Sequence, residues 1–194
     1  MSGTQSSAYT ERLVALGGAR WKKLLNVQAP YRWNMRRLRL GRTLDVGCGI
    51  GRVLAHLDGN AVGVDHNPAS VDVCRGLGFE AYLPAEFFER YAGRRDFDSV
   101  LLAHVVEHMR PGEAIELIEP YLECLKPGGR LVLLTPQESG FRSDPTHVHF
   151  TDFGGQRRIV EALGMHVERQ FSFPFPRTFG GLFKYNEFVC TARR

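Results

Sequence analysis

The stretch Thr43-Leu44-Asp45-Val46-Gly47-Cys48-Gly49-Ile50-Gly51-Arg52 decides the fold that this sequence predicts. Residues 43–46 have the apolar character of a short buried strand. The three glycines that follow make a turn in which bare backbone can approach a ligand. Residues 53–57 are predicted to begin a helix, and a helix that starts there would point free N–H groups at that ligand.

The glycine spacing of this turn is Gly-x-Gly-x-Gly, which differs from a dinucleotide fingerprint. A dinucleotide-binding turn would place its third glycine at position 52, where this chain has Arg52. Asp45, just before the turn, is unfavourable for a pyrophosphate and suits a positively charged or amino-bearing ligand. The turn is therefore predicted to bind a nucleoside without phosphates.

A second apolar strand, residues 61–64, is followed by Asp65. An acid at the end of this strand can accept hydrogen bonds from both ribose hydroxyls of an adenosine. With these two blocks and the blocks at 97–108 and 125–136, the chain resembles class I S-adenosylmethionine-dependent methyltransferases. Its pattern is most similar to the small-molecule O-, N- or C-methyltransferases that resemble the ubiquinone-biosynthesis enzymes.

The resemblance implies an α/β fold, a Rossmann-like, doubly wound, seven-stranded sheet that is mostly parallel. Its strand order would be 3-2-1-4-5-7-6, with the last strand antiparallel, and ligands would bind beyond the carboxyl ends of the strands. Residues 1–39 would form an N-terminal tail and helical lid, and residues 40–194 the methyltransferase domain. The helical lid is predicted from apolar spacing at 9–16 and 20–27, with Pro30 as its stop.

Sequence patterns place the remaining elements in the order that this fold requires. Further strands are predicted at 79–83, 96–103, 130–135, 166–173 and 182–191. Helices are predicted at about 67–77, 111–125 and 151–163, and residues 136–150 are predicted to form an irregular loop.

The same resemblance implies S-adenosylmethionine as the cofactor. The residues that would bind it are Asp45, Gly47, Cys48, Gly49, Gly51, Arg52, Asp65, His66, Ala85, Glu86, Phe87, Ala103 and His104. Residues 85–87 would flank the adenine, with the alternative that Phe87 is a core residue.

The candidate catalytic residues are His147, His149 and His104. Methyl transfer to a hydroxyl requires a group that takes the proton, and histidine is the usual choice near neutral pH. His147 and His149 lie in the loop that covers the acceptor in related enzymes, and an extended backbone would direct both side chains to one side. His104 would face the transferred methyl group, whereas Glu107 and His108 are expected to fix their turn by hydrogen bonding.

A metal site is an alternative use of the residues in this loop, because histidine and carboxylate suit several divalent ions. The residues concerned are Asp144, His147, His149 and Asp152. Surface histidines and a helix N-cap at Thr151 or Asp152 explain the same residues more simply, so the sequence prediction assigns no metal.

The composition is that of a globular protein, with 194 residues, 43% of them hydrophobic and 24% charged. No stretch approaches the length of a membrane span and the start has no secretion signal, so a cytoplasmic location is expected. The four cysteines, Cys48, Cys74, Cys124 and Cys190, show no metal or redox spacing and are expected to be reduced.

The predicted function is O-methylation of a small-molecule hydroxyl on a sugar, lipid-linked or natural-product acceptor. The Asn/Asp-Pro-Pro-aromatic motif of amino-methylating nucleic-acid enzymes is absent after the fourth strand, so nucleic acid is not expected as a partner; a homodimer is compatible with the sequence. Two alternatives stay open. One is an RNA or protein methyltransferase that docks through the basic segment 32–42, and the other is an S-adenosylmethionine-binding module without turnover.

Overall fold

The structure is a computed structural model that describes residues 29–57 and 59–194. The helical segments predicted at 9–16 and 20–27 lie outside the described residues. The chain divides into two compact units, of which the first ends at Ala92 and the second spans Gly93–Arg194.

The first unit alternates short strands and helices. Its described elements are α1 (Ala29–Leu38), β1 (Thr43–Val46), a 3-10 turn (Leu54–His56), β2 (Ala61–Val64), α2 (Pro68–Gly76), β3 (Ala81–Tyr82) and α3 (Pro84–Tyr91). β1 pairs with β2, and β2 with β3, in parallel. All four residues of β1 are buried, as expected for a strand that is covered on both faces.

The second unit contains the longer strands. Its elements are β4 (Phe97–Ala103), a 3-10 turn (Val106–His108), α4 (Pro111–Leu122), β5 (Leu125–Pro136), α5 (Glu138–Phe141), α6 (Phe153–Ala162), β6 (His166–Phe173), a 3-10 turn (Arg177–Phe179) and β7 (Glu187–Arg193). β4 and β5 are parallel, and β7 pairs antiparallel with both β5 and β6.

The seven strands form one sheet with the order β3-β2-β1-β4-β5-β7-β6. This order and the antiparallel β7 confirm the fold class that the sequence predicts. The strand bounds agree closely at β1, β2 and β6, whereas β3 is reduced to Ala81–Tyr82.

Two helix N-termini form as their residue types predict. The Asn67 side chain accepts a hydrogen bond from the Ala69 N–H at 3.0 Å, and Pro68 occupies the first helical position of α2. The Asp152 side chain accepts from the Gly155 N–H at 2.8 Å and caps α6.

Several local predictions differ from the structure. The helix predicted to begin at 53–57 is only the 3-10 turn Leu54–His56, because the chain turns at once: the Asn60 N–H donates to the Leu57 carbonyl and Gly59 has a φ of 78°. The sequence assigned no element to the residues of α1 and α3, and Pro30 lies in the first turn of α1, where a missing N–H costs nothing. The predicted irregular loop 136–150 contains α5, and the strand predicted at 182–191 begins only at Glu187.

The buried residues of the two units are mostly apolar, and many of them lie in strands, including 99–102 of β4 and 131–134 of β5. In the first unit, Cys48, Leu54, Val71, Cys74 and Ala81 form a buried cluster beneath the glycine turn. All four cysteines are buried and free, in keeping with the predicted reduced state. Among the described residues no helix is long and apolar enough to cross a membrane.

The effect of replacing Gly51, in the glycine turn, can be compared with that of replacing Gly59, which serves as a matched control. Its φ is 79°, and an added Cβ would lie 2.9 Å from Phe79 Cδ2 and 3.1 Å from Cys74 Sγ. Gly59 has nearly the same φ, 78°, but nothing lies within 4 Å of its added Cβ.

We therefore expect Gly59→Ala to lower the free energy of unfolding by about 1–2 kcal/mol, the cost of a left-handed alanine. Gly51→Ala should cost about 1–3 kcal/mol more, because a crowded Cβ adds overpacking to the same strain. Urea unfolding of the two variants measures the difference. Equal losses would show that the cluster under the turn does not pack as described.

Candidate functional site

The glycine turn is fastened to the end of β2 by backbone hydrogen bonds. The N–H groups of Gly47 and Cys48 both donate to the Val64 carbonyl, at 2.7 and 3.1 Å. The Gly49 N–H donates to Asp65 Oδ2 at 2.8 Å. Gly47 and Gly49 have φ angles of 80° and 52°, which glycine adopts without steric cost. The sequence therefore holds the turn in one conformation before any ligand binds.

Asp65 is buried and supports this turn. Its Oδ1 accepts from the Asn67 N–H at 2.8 Å, and His66 Nδ1 lies 3.6 Å from the same oxygen. Each carboxylate oxygen has more than one lone pair, so these bonds leave Asp65 able to accept further hydrogen bonds. Its predicted contact with the ribose stays a prediction.

Asp45 is buried with 1% of its surface exposed, and no hydrogen-bond partner of its Oδ2 lies within the described part of the chain. Burial, and secondly the charge of Asp65, raise the pKa of Asp45 to about 7. A buried carboxylate without a partner is stabilised by a cation or an N–H donor. This environment suits the amino-bearing ligand that the sequence predicts.

The neighbours of the turn differ in exposure. Cys48 is buried, and its hydrogen bond with the Cys74 thiol, together with burial, raises the pKa of the Cys48 thiol. Arg52 and His66 are exposed, whereas Gly51 is buried against Cys74.

Residues 85–87, predicted to flank an adenine, lie in the first turn of α3. Ala85 is exposed. Glu86 Oε2 accepts from the Leu83 N–H at 2.9 Å and from Arg75 Nη2 at 2.6 Å, which lowers the pKa of Glu86. Phe87 is fully buried and its ring stacks on Tyr91, with 4.9 Å between centroids. Glu86 and Phe87 thus serve the helix and the core of the first unit, and their predicted adenine contacts are untested.

In the second unit, His104 follows Ala103 at the end of β4 in a left-handed conformation, with a φ of 60°. Non-glycine residues adopt this conformation at a cost, and such residues are frequent at functional sites. His104 Nε2 lies 2.7 Å from Glu187 Oε1, and Nδ1 lies 3.2 Å from Glu107 Oε1. Two carboxylates thus engage both ring nitrogens, and two acceptors favour an imidazolium.

The pKa of His104 reflects these contacts. Burial alone would lower it, but the charge of Glu187 and the hydrogen bonds that His104 donates to Glu107 and Glu187 raise the pKa to about 10. Because 44% of the side chain is still accessible, water screens part of this attraction. His104 is therefore a cation at neutral pH and is poorly suited to accept a proton.

Glu107 anchors the loop that carries the other histidines. Its backbone carbonyl accepts from the Val148 N–H at 2.8 Å and from the His149 N–H at 3.1 Å. Two successive N–H groups that point to one oxygen are not an extended strand, so the condition for placing His147 and His149 on one side is not met. The Glu107 side chain is completely buried.

His147 and His108 lie against each other, with 4.8 Å between ring centroids. His147 Nδ1 is 2.8 Å from the Phe141 carbonyl oxygen, and its ring stacks on Phe141. His108 Nδ1 is 3.1 Å from the Thr146 carbonyl oxygen. Burial lowers the pKa of His108 despite the nearby charge of Glu107.

His149 differs from both. It is half-buried, and its ring forms no hydrogen bond or ion pair with the described residues. Among the three candidate catalytic histidines, it is the one whose ring nitrogens are both uncommitted.

The alternative metal residues Asp144 and Asp152 have local roles. Asp144 Oδ1 accepts from the Thr146 N–H and hydroxyl at 3.0 and 2.7 Å, and Asp152 caps α6. The histidine–carboxylate group that the structure assembles instead consists of Glu107, His108 and His147.

Sequence reasoning missed Glu187, whose side chain is 4% exposed and contacts His104. The signal was present: Glu187 is an acid directly before the apolar run 188–190, and buried acids are rare without a partner.

Comparison with known families covers most of the chain. A family model described as a methyltransferase domain matches residues 17–191. A curated relative, carboxy-S-adenosyl-L-methionine synthase from Klebsiella pneumoniae, is 29% identical over 101 residues, which are 46% of this chain and 41% of the relative. The chain thus matches less than half the length of that relative.

Solved structures share the fold. A SAM-dependent methyltransferase from Archaeoglobus fulgidus has a TM-score of 0.63 at 20% identity, and the match covers 89% of this chain and 99% of that one. Magnesium protoporphyrin IX methyltransferase from Synechocystis, with bound SAH, has a TM-score of 0.68 at 16% identity. That match covers 98% of this chain and 96% of the Synechocystis chain. At these identities the likeness shows the fold alone.

The raised pKa of Asp45 predicts a pH dependence of ligand affinity. A ligand that carries a positive charge requires the ionised form, so affinity should fall as the pH drops below about 7. We expect S-adenosylmethionine and S-adenosylhomocysteine to bind about five- to tenfold more weakly near pH 6 than near pH 7.5. Titration calorimetry at both pH values measures the change.

Asp45→Asn is the control for this prediction. This variant should bind both compounds weakly at either pH, and its affinity should no longer change with pH. If the affinity of Asp45→Asn changed with pH as much as that of the wild type, another group would be responsible for the pH dependence.

The His104 contacts predict a pH dependence of stability. Because its pKa is raised when folded, the stabilisation is complete below the ordinary value of 6.5 and is lost as the pH rises towards 10. We expect the wild-type free energy of unfolding to fall by about 1–2 kcal/mol more than that of His104→Gln between pH 7.5 and 10, since partial exposure weakens the ion pairs. Urea unfolding at the two pH values tests this, and parallel curves for both proteins would contradict it.

Proposed function

Since the chain belongs to the methyltransferase-domain family, we propose that it transfers the methyl group of S-adenosylmethionine to a hydroxyl of a small molecule. The observation that carries this proposal is the buried Asp45 carboxylate beside a glycine turn that offers bare backbone to a ligand. S-adenosylmethionine has an amino group, a sulfonium and an adenosine without phosphates, which is the chemistry that such a turn can recognise.

The first unit supplies the cofactor contacts in this proposal. Asp45 attracts the cationic methionine end of the cofactor. The turn brings the backbone of Gly47 and Gly49 close to the ligand, and Asp65 accepts from the ribose hydroxyls. The bonds from Gly49 and Asn67 to Asp65 support this role, because they fix the carboxylate before the ligand arrives.

The proposed reaction also needs a proton acceptor. Methyl transfer from a sulfonium is an in-line displacement in which the positive charge disappears, so much of the catalysis is positioning of the acceptor oxygen. The hydroxyl proton must still be removed during or after the transfer. We propose His149 for this step, since both nitrogens of His104 face carboxylates and His147 Nδ1 donates to a carbonyl.

A small acceptor is supported by what the sequence lacks and by a neighbour. The nucleic-acid type of motif is absent after β4, where His104-Val105-Val106-Glu107 stands. The Synechocystis neighbour is named for magnesium protoporphyrin IX, a small molecule. An RNA or protein acceptor docked through residues 32–42 would instead bind with a steep loss of affinity in salt.

The test is a screen with S-adenosylmethionine carrying a labelled methyl group and a panel of sugars, phenols, lipid-linked alcohols, amines, RNA and peptides. Mass spectrometry of each labelled product locates the methyl group. Methyl ethers of small hydroxyl compounds are the expected products. Labelled RNA or peptide as the main product, N- or C-methylation, or no transfer to any acceptor would contradict the proposal.

We expect His149→Ala to lower kcat by about 10²–10⁴-fold, the usual contribution of general base catalysis. The affinity for S-adenosylhomocysteine should stay unchanged, because the variant leaves the first unit intact. His166→Ala removes an exposed histidine of β6 and serves as the matched control, with wild-type activity expected. Full activity of His149→Ala would show that His149 is not the proton acceptor.

A further inference from the structure

We infer that Glu107, His108 and His147 form a binding site for a divalent transition-metal ion. One ligand atom from each residue lies within 4.8 Å of the others: a carboxylate oxygen and two imidazole nitrogens. None of the three is needed as the proton acceptor proposed above.

The two histidines are arranged as metal ligands are. In each, Nδ1 lies within hydrogen-bond distance of a backbone carbonyl, that of Thr146 for His108 and that of Phe141 for His147. A carbonyl can only accept, so Nδ1 carries the proton and the lone pair belongs to Nε2. Histidines that bind metals almost always donate their other N–H to a carbonyl or carboxylate in this way.

Thr146 strengthens this orientation of His108. Its hydroxyl donates to Asp144 Oδ1 at 2.7 Å, and its oxygen lies 3.2 Å from His108 Nδ1. A hydroxyl whose proton is directed at Asp144 presents a lone pair to the ring. Both acceptors around Nδ1 therefore favour the tautomer with Nε2 free.

Glu107 supplies a further reason for a second cation. Its side chain is completely buried, and its Oε2 has no hydrogen-bond partner within the described chain. Its Oε1 lies 3.2 Å from Nδ1 of the His104 cation and 4.0 Å from His147 Nε2. The His104 contact therefore leaves one buried carboxylate oxygen without a partner, and a metal ion bound to the Glu107 carboxylate would lower that cost.

The backbone keeps the three residues together. Glu107 and His108 belong to one 3-10 turn, and the Glu107 carbonyl accepts from the N–H groups of Val148 and His149, directly after His147. Ligands bound to one tetrahedral ion at about 2.0–2.1 Å are roughly 3.4 Å apart. The group therefore needs a contraction of about 1 Å, which side-chain rotation can supply.

The donor set indicates the class of ion. Two imidazoles and one carboxylate suit Zn²⁺, Fe²⁺, Mn²⁺ or Co²⁺, whereas Mg²⁺ and Ca²⁺ prefer oxygen ligands alone. Three protein ligands leave a coordination position open. If the proposed hydroxyl methylation holds, an acceptor oxygen in that position would lose its proton more readily. This role of the metal in catalysis rests on the proposed function, whereas the metal site itself does not.

The test uses tag-free protein that has been treated with EDTA and dialysed against metal-free buffer. We expect titration calorimetry with Zn²⁺ to give one site per chain, and Co²⁺ to give the visible absorption of a site with nitrogen and oxygen ligands. His108→Ala and His147→Ala should each weaken Zn²⁺ binding by more than the roughly 10–100-fold that loss of an outer partner costs.

His149→Ala is the matched control, because it removes a histidine of the same loop that is not among the proposed ligands. It should retain the Zn²⁺ stoichiometry and affinity of the wild type. Thermal unfolding of each metal-free variant shows whether it folds, and Glu107→Gln serves as a further ligand variant if either histidine variant does not.

No Zn²⁺ binding by the wild-type chain, or equal binding by the wild type, His108→Ala and His147→Ala, would overturn the proposal. The result is separable from the proposed function. A chain that binds Zn²⁺ but methylates no hydroxyl keeps the metal site, and a chain that methylates hydroxyls equally well with EDTA and binds no Zn²⁺ loses only the metal site.

Discussion

Buried carboxylates are the physical constraint on which both units of this protein depend. Asp45 and Asp65 are buried in the first unit, and Glu107 and Glu187 in the second. An ionised carboxylate inside a protein is unstable unless N–H donors or cations surround it. The backbone turns, the strained His104 and the orientation of the histidines are each arranged around one of these four acids.

The two buried acids of the first unit differ in their hydrogen-bond partners. Both oxygens of Asp65 accept from backbone N–H groups, which compensates for burial without any ligand. Asp45 has an oxygen without such a partner, and its raised pKa is the consequence. One acid thus holds the glycine turn in place, whereas the other keeps its capacity for a ligand. The same residue type thus has two backbone partners after β2 and an oxygen without a partner in β1.

The sequence predicted what depends on local patterns. The bounds of β6 and the caps at Asn67 and Asp152 follow from a hydrophobic run and from residues with one dominant local use. The order of the strands was implied by the resemblance to class I methyltransferases and is confirmed. The predictions were poorer for short segments that can adopt either of two similar local conformations. Examples are the turn Leu54–His56 and helix α3.

The second unit was less predictable for a physical reason. The contact of His104 with Glu187, and that of His108 with the Thr146 carbonyl, join residues far apart in the sequence. No periodicity encodes such pairs, since they arise only when β7 lies beside β5 and the histidine loop returns to the Glu107 carbonyl. The individual residues could be named from the sequence, but not their partners.

Acids and histidines packed together around the turn after β4 are a costly way to stabilise a fold of this size. Apolar residues of similar volume would pack there at lower cost, and a non-glycine residue with a left-handed backbone adds strain. Such an arrangement persists where function requires it, because natural proteins break local rules mainly at functional sites. The histidine loop is held to Glu107 by backbone hydrogen bonds, so its imidazoles are positioned without using their own Nε2 atoms. The backbone thus holds the loop while the Nε2 atoms of His108 and His147 stay available, which is what the proposed metal site requires.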